Sequence, residues 1–158
     1  MVAFNGGGFK RGRLIIMKKI LVAVDGSDYS RKALAKAKEL GEKYNSEIVI
    51  LYVISSLRYS HPYIIDKTIE AEINKILLEQ GKKILEESLK AFEGYPSKAV
   101  TFLKCGDPAR EIIEMAKKES CDLIVIGNRG LNTISRAMLG SVSTKVINHS
   151  DISVLVVK

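Results

Sequence analysis

Residues 18–27, Lys18-Lys19-Ile20-Leu21-Val22-Ala23-Val24-Asp25-Gly26-Ser27, decide the fold. The unbroken apolar run from Ile20 to Val24 suits a strand buried on both faces, because a strand with one wet face would alternate. Asp25-Gly26-Ser27 then supplies turn chemistry. Ser27 or Asp28 can cap a helix reaching about Tyr44, with Leu34, Ala37, Leu40 and Tyr44 on one face. A buried strand feeding a helix through a short turn is half of a βαβ unit.

Downstream the pattern repeats. Glu47 to Ile54 reads as a second buried strand, followed by a longer connection from Ser55 to Asp66. A helix is expected from about Lys67 to Phe92, with Ile69, Ile73, Ile76, Leu77, Ile84 and Leu85 as its core face, closed by Gly94-Tyr95-Pro96. The third strand spans about Lys98 to Lys104. Asp107 and Pro108 fit the cap and first turn of a helix carrying Ile112, Ile113 and Ala116. Asp122 to Gly127 is the fourth strand, Asn128 to Leu139 a loop, Ser141 to about Asn148 a helix, and Ile152 to Val157 the fifth strand. The order βαβαβαβαβ predicts an α/β protein with an open five-stranded parallel sheet, helices on both faces and right-handed crossovers. Ligands of such sheets bind beyond the carboxyl ends of the strands at the switch point. That directs attention to Asp25-Gly26-Ser27 and Gly127-Asn128-Arg129-Gly130.

Composition bounds the function. The chain has 158 residues, 46% of them hydrophobic and 27% charged. That is one globular domain's worth, neither disordered nor collagen-like. No apolar stretch approaches a membrane span. Cys105 and Cys121 lack metal or redox spacing and read as buried small hydrophobes, so a reducing cytoplasm is expected. His61 reads as a loop residue and His149 as a helix C-terminal cap; two distant histidines make no metal site. The net charge is +7. Three of the positive charges are Lys10, Arg11 and Arg13, and the body has no basic block with interleaved aromatics, so nucleic acid is an unlikely partner. Residues 1–16, with Asn5-Gly6-Gly7-Gly8 and that basic run, are expected to form a flexible basic extension. Residues 17–158 form the domain, since Met17-Lys18-Lys19 before a strand looks like a chain start.

The most informative stretch is Gly127-Asn128-Arg129-Gly130, nine residues, then Gly140-Ser141-Val142-Ser143. It is a strand end, a glycine turn, a loop and a helix start. Gly127 and Gly130 can admit a phosphate close to the backbone. The helix start offers free N–H groups, which favour anions. Ser141 and Ser143 add hydroxyl donors, and Arg129 adds a positive charge. An ordinary serine-capped helix after a glycine loop uses the same chemistry, so both readings stand on spacing alone.

Gly127-x2-Gly130-x9-Gly140-Ser141 resembles the G-2x-G-9x-G-(S/T) nucleotide motif of the universal stress protein family, in its ATP-binding subclass. Lys18 to Ser27 resembles that family's first strand and turn, and Ser150 to Val157 its last strand; the similarity spans residues 18–158. The resemblance implies a Rossmann-like sheet of order 3-2-1-4-5, of the adenine nucleotide alpha hydrolase type. It also implies that ATP binds at the first and fourth strand ends. Ala23, Val24 and Asp25 would line the adenosine, with Asp25 near the ribose, and Val53 would meet adenine through its backbone. Ile126, Gly127, Arg129 and Gly130 would contact ribose and phosphates. Gly140, Ser141, Val142 and Ser143 would hold the phosphate chain. No metal site is expected from the protein alone, although Mg²⁺ could accompany ATP. Asp25 also has a simpler role open to it, as a turn-capping aspartate.

There is no G-x-x-x-x-G-K-[ST] and no G-x-G-x-x-G after the first strand, which argues against P-loop and dinucleotide sites. Asp25-Gly26-Ser27-Asp28-Tyr29-Ser30 lacks the paired glycines of PP-loop pyrophosphatases. Asp25 lacks the acidic neighbour of a phospho-receiver site. No carboxylate is evidently placed beside a γ-phosphate, so binding is favoured over turnover. The expected function is that of an ATP-binding regulatory or stress-response protein. The alternatives are a dimeric interaction module that binds no nucleotide and a slow or partner-dependent ATPase. The apolar fifth strand, 152–157, is a sheet edge, and the resemblance suggests that a homodimer forms through it.

Overall fold

The computed structural model describes residues 17–55, 67–130 and 139–158. The tail 1–16, the connection holding His61 and the middle of the loop after Gly130 lie outside the described residues, so the expectations for them are not addressed.

Five strands and four helices alternate among the described residues: β1 Lys19–Val24, α1 Asp28–Tyr44, β2 Glu47–Ile54, α2 Lys67–Lys90, β3 Ala99–Cys105, α3 Pro108–Lys118, β4 Leu123–Gly127, α4 Ser141–His149 and β5 Ser153–Val157. All pairings are parallel and the order is β3-β2-β1-β4-β5. The chain therefore leaves β1 toward β2 and β3, then crosses back to β4. The crevice between the β1 and β4 carboxyl ends is the switch point.

Burial on both faces explains the apolar runs. Ile20, Val22, Ile48 and Ile50 pack with Ala33, Leu34 and Ala37 of α1 and Leu85 of α2. Leu21, Val49, Leu51 and Ile124 pack with Ile112, Met115 and Ala116 of α3 and Val146 of α4. Each fully buried large aliphatic side chain contributes about 1.5–3 kcal/mol. Among the described glycines the closest approach is at Gly41 of α1, where a Cβ would lie 2.0 Å from the Tyr95 hydroxyl. That hydroxyl donates to the Ser46 carbonyl at 2.6 Å.

Local caps fix where the helices start. Ser27 Oγ accepts the Ser30 N–H at 3.2 Å, which settles Ser27 over Asp28 as the cap of α1. Asp107 Oδ1 accepts the Arg110 N–H at 3.0 Å, and Lys145 of α4 reaches Asp107 Oδ2 at 3.2 Å. The Arg110 backbone bond, aided by Lys145, holds the Asp107 carboxyl below the ordinary carboxylate range. His149 Nδ1 lies 2.8 Å from the Lys145 carbonyl, at the end of α4.

Three expectations need correction. Ile69 and Ile76 of α2 are 53% and 62% exposed rather than core. Helical spacing is satisfied there, but α2 meets the core through Leu77, Ile84 and Leu85 and through Gly81, where a Cβ would lie 2.8 Å from Leu103 and from Tyr52. Tyr44 is exposed because it ends α1, where Asn45 turns left-handed at φ 55°. Cys105 is exposed at the end of edge strand β3, whereas Cys121 is buried and its thiol is pushed up to about 12 by burial.

Candidate functional site

Each motif glycine closes an approach between parts of the chain far apart in sequence. At Gly127, a Cβ would lie 2.8 Å from the Tyr29 carbonyl carbon and 2.9 Å from its Cβ. Glycine there lets the first turn of α1 rest on the end of β4. At Gly130, a Cβ would lie 2.5 Å from Asp25 Oδ2, so this turn abuts the end of β1. At Gly140, a Cβ would meet the Asn128 carbonyl oxygen at 3.2 Å and Arg129 Cα at 3.3 Å. None of the three has the positive φ that by itself demands glycine.

Asn128 ties these parts together. Its N–H donates to the Val157 carbonyl at 2.7 Å, and its carbonyl accepts from the Gly140 N–H at 2.9 Å. Ser143 Oγ donates to the carbonyls of Gly140 at 2.9 Å and Asn128 at 3.2 Å. The start of α4 is thereby drawn back over the end of β4. The buried Asn128 Oδ1 has no hydrogen-bond partner, and nothing among the described residues explains it.

A cavity of ≈ 390 Å³ lies above the switch point. That is within the size range of small-molecule sites. All twelve residues singled out from the sequence line it, together with Ser30, Leu51, Tyr52, Ile54, Ser55, Leu77, Pro108 and Ile112. Leu51, Val53, Pro108 and Ile112 give it apolar surface. Gly140 caps α4 without a side-chain hydrogen bond. The first N–H of α4 to bond the Gly140 carbonyl is that of Thr144. The N–H groups of Ser141, Val142 and Ser143 thus form the unbonded first turn that attracts anions. Ser141 is exposed, whereas the Ser143 hydroxyl proton is already directed at backbone carbonyls.

Two charged side chains are among the described lining residues. Asp25 Oδ1 accepts the Ser27 N–H at 3.0 Å, so the turn-capping role is real, while Oδ2 faces Gly130. Arg129 is buried, and its Cζ lies 5.7 Å from the centroid of the Tyr29 ring. Burial, and secondarily the Asp25 carboxylate, raise the Tyr52 phenol above its ordinary value. No cluster of His, Cys, Asp and Glu among the described residues could hold a metal ion.

Sequence reasoning missed Tyr52, Leu77, Pro108 and Ile112. Apolar residues in a strand or helix read as core, and only the sheet order shows which of them stand at the crevice. Pro108 and Ile112 had one signal, since they open the helix following a strand end.

The fold and crevice define an open, doubly wound α/β protein with an anion-attracting helix start at its switch point. The chain belongs to the universal stress protein family, whose model matches residues 17–158. It is 36% identical over 153 residues to the universal stress protein YxiE of Bacillus subtilis, covering 90% of this chain and all of that one. Among solved structures it resembles protein MJ0577 at a TM-score of 0.79 and 30% identity, covering 91% of this chain and 97% of the other. A universal stress protein solved in complex with cAMP matches at a TM-score of 0.65 and 26% identity, covering 90% and 97%. Among the described residues no helix is long and apolar enough to cross a membrane.

Proposed function

We propose that this protein binds ATP in the switch-point cavity and acts as a nucleotide-dependent regulator in the stress response. The observation that carries the reading is the start of α4: unbonded N–H groups and the Ser141 hydroxyl border a cavity that also offers apolar surface. Phosphates suit the first, and a purine suits the second. The relative solved with cAMP supports an adenine nucleotide as the class of ligand. Ala23, Val24, Val53 and Ile126 would face the base and sugar, and Asp25 Oδ2 would accept a ribose hydroxyl. Gly127, Arg129, Gly130 and residues 140–143 would hold the phosphates. Mg²⁺ would be carried by the phosphates rather than by a protein cluster.

Binding is favoured over hydrolysis because Asp25 is the one carboxylate among the described lining residues, and half of it is engaged by the Ser27 N–H. A phosphoryl-transfer site needs a group to orient water. We place the protein in the cytoplasm, consistent with two free cysteines, and treat residues 1–16 as an extension of the domain 17–158.

The test is calorimetric titration of the full chain with ATP, with and without Mg²⁺, after co-purified nucleotide has been stripped and its absence checked by absorbance. Binding in the micromolar range is expected. A stripped, folded protein that takes up no ATP would overturn the reading.

The edge strand supports a homodimer as a second feature. The Val157 carbonyl accepts the N–H of Asn128, the residue that follows β4. Successive residues of a strand point their backbone groups to opposite sides, so Leu155 and Ser153 also face β4 while Val154 and Val156 face outward. Antiparallel pairing of two copies would satisfy those outward groups. Val154→Pro removes an outward N–H without breaking the β4 ladder. Sedimentation should show a dimer for the parent and a folded monomer for the variant; a dimer that survives the substitution would count against pairing through β5.

A further inference from the structure

We propose that Tyr29 is a positioning residue that holds Arg129 as the phosphate-facing cation, and so sets how strongly the site prefers nucleotides over nucleosides. The inference rests on the nucleotide reading above. Arg129 is the one cationic side chain among the described residues lining the cavity. The other polar groups there are neutral donors and the Asp25 carboxylate. A gain in affinity for each added phosphate charge therefore falls mainly to Arg129 and the start of α4.

Arg129 is 9% exposed, so its guanidinium is largely out of water. The Tyr29 ring is one of its contacts, with Cζ 5.7 Å from the ring centroid, inside the range of a cation–π interaction. The backbone that carries the ring is held in place. Tyr29 sits in the first turn of α1, and the absent side chain of Gly127 lets its backbone lie directly against β4. Gly127 seats the Tyr29 backbone, and Arg129, two residues further along, carries the guanidinium that meets the Tyr29 ring. Lys32, one turn along α1, brings its Nζ within 5.4 Å of the same ring centroid. That second cation stays on the exposed helix surface, and Lys32 is not among the residues lining the cavity.

The experiment is titration of stripped full-length protein with adenosine, AMP and ATP for the parent, Tyr29→Phe, Tyr29→Leu, Arg129→Gln and the double variant Tyr29→Leu/Arg129→Gln. Thermal melts confirm folding in each. Tyr29→Leu should weaken ATP about threefold to tenfold, the size of a partly desolvated cation–π contact, and change adenosine less than twofold. Tyr29→Phe keeps the ring and should stay within twofold of the parent. In the Arg129→Gln background Tyr29→Leu should cost nothing further. An unchanged ratio of ATP to adenosine affinity in Tyr29→Leu would overturn the proposal, as would an equal loss in both Arg129 backgrounds. Should Tyr29→Leu not fold, Arg129→Gln decides: an unchanged ATP to adenosine ratio there overturns it equally. Failure of the nucleotide reading itself looks different, since the parent would then bind none of the three ligands.

Discussion

Gly127→Ala is expected to destabilise the protein by about 2–3 kcal/mol, at the upper end of the usual cost of overpacking. The added methyl would lie within 3.0 Å of three Tyr29 atoms, two of them backbone atoms of α1. A flexible side-chain tip could swing away; a helix turn anchored by the Ser27 cap cannot. Relief requires α1 to lift from β4, which would uncover part of the core around Ala33 and Val125. For a chain of this size the melting temperature should fall by roughly 5–10 °C. Gly94→Ala is the informative contrast. A Cβ there meets nothing within 4 Å, and the cost comes from φ +74° alone, about 1–2 kcal/mol for a residue with a side chain. Equal melting temperatures for Gly127→Ala and the parent would show that α1 does not rest on β4 as described.

Ser141→Asp is expected to weaken ATP by about tenfold to a hundredfold while leaving the fold intact. Ser141 is the exposed first residue of α4, and it borders the cavity. A carboxylate there would meet the phosphates as a like charge, a juxtaposition that costs several kcal/mol when desolvated and less beside water. The same carboxylate suits the helix start, where an acidic residue contributes about 0.3–1 kcal/mol. Stability and affinity should therefore move apart: the melting temperature holds or rises, and titration shows weaker ATP with adenosine unchanged. Undiminished ATP affinity would place the phosphates away from α4. Gly130→Val is a poorer probe. Its side chain would strike Asp25 Oδ2, so any loss would mix the ribose and phosphate ends of the site.

The sheet was legible because burial on both faces writes itself as unbroken apolar runs, as in Ile20 to Val24 and Leu123 to Ile126. The face of α2 was legible only in part. Periodicity reports which residues are apolar, not whether anything lies opposite them, and nothing among the described residues buries Ile69 or Ile76. At the crevice, glycine spacing marked Gly127, Gly130 and Gly140, and the switch-point rule brought Asp25 to the same place, but the seating of Gly127 on Tyr29 and of Gly140 on Asn128 was invisible. Each approach joins segments whose proximity depends on strand order. Tyr52 and Ile112 were hidden for a related reason: a wall of a cavity and a piece of core use the same residues.

The position of β1 beside β4 carries a last consequence. Asp25 and Gly130 meet only when a strand from the beginning of the domain has paired with one from its far part, Ile20 opposite Leu123. No fragment shorter than most of the domain can hold both rims of the crevice. A ligand seated there reports on the whole architecture, and its affinity adds to global stability through mass action. Saturating ligand should then slow amide exchange in the central strands that open only with complete unfolding, as well as at the rim itself.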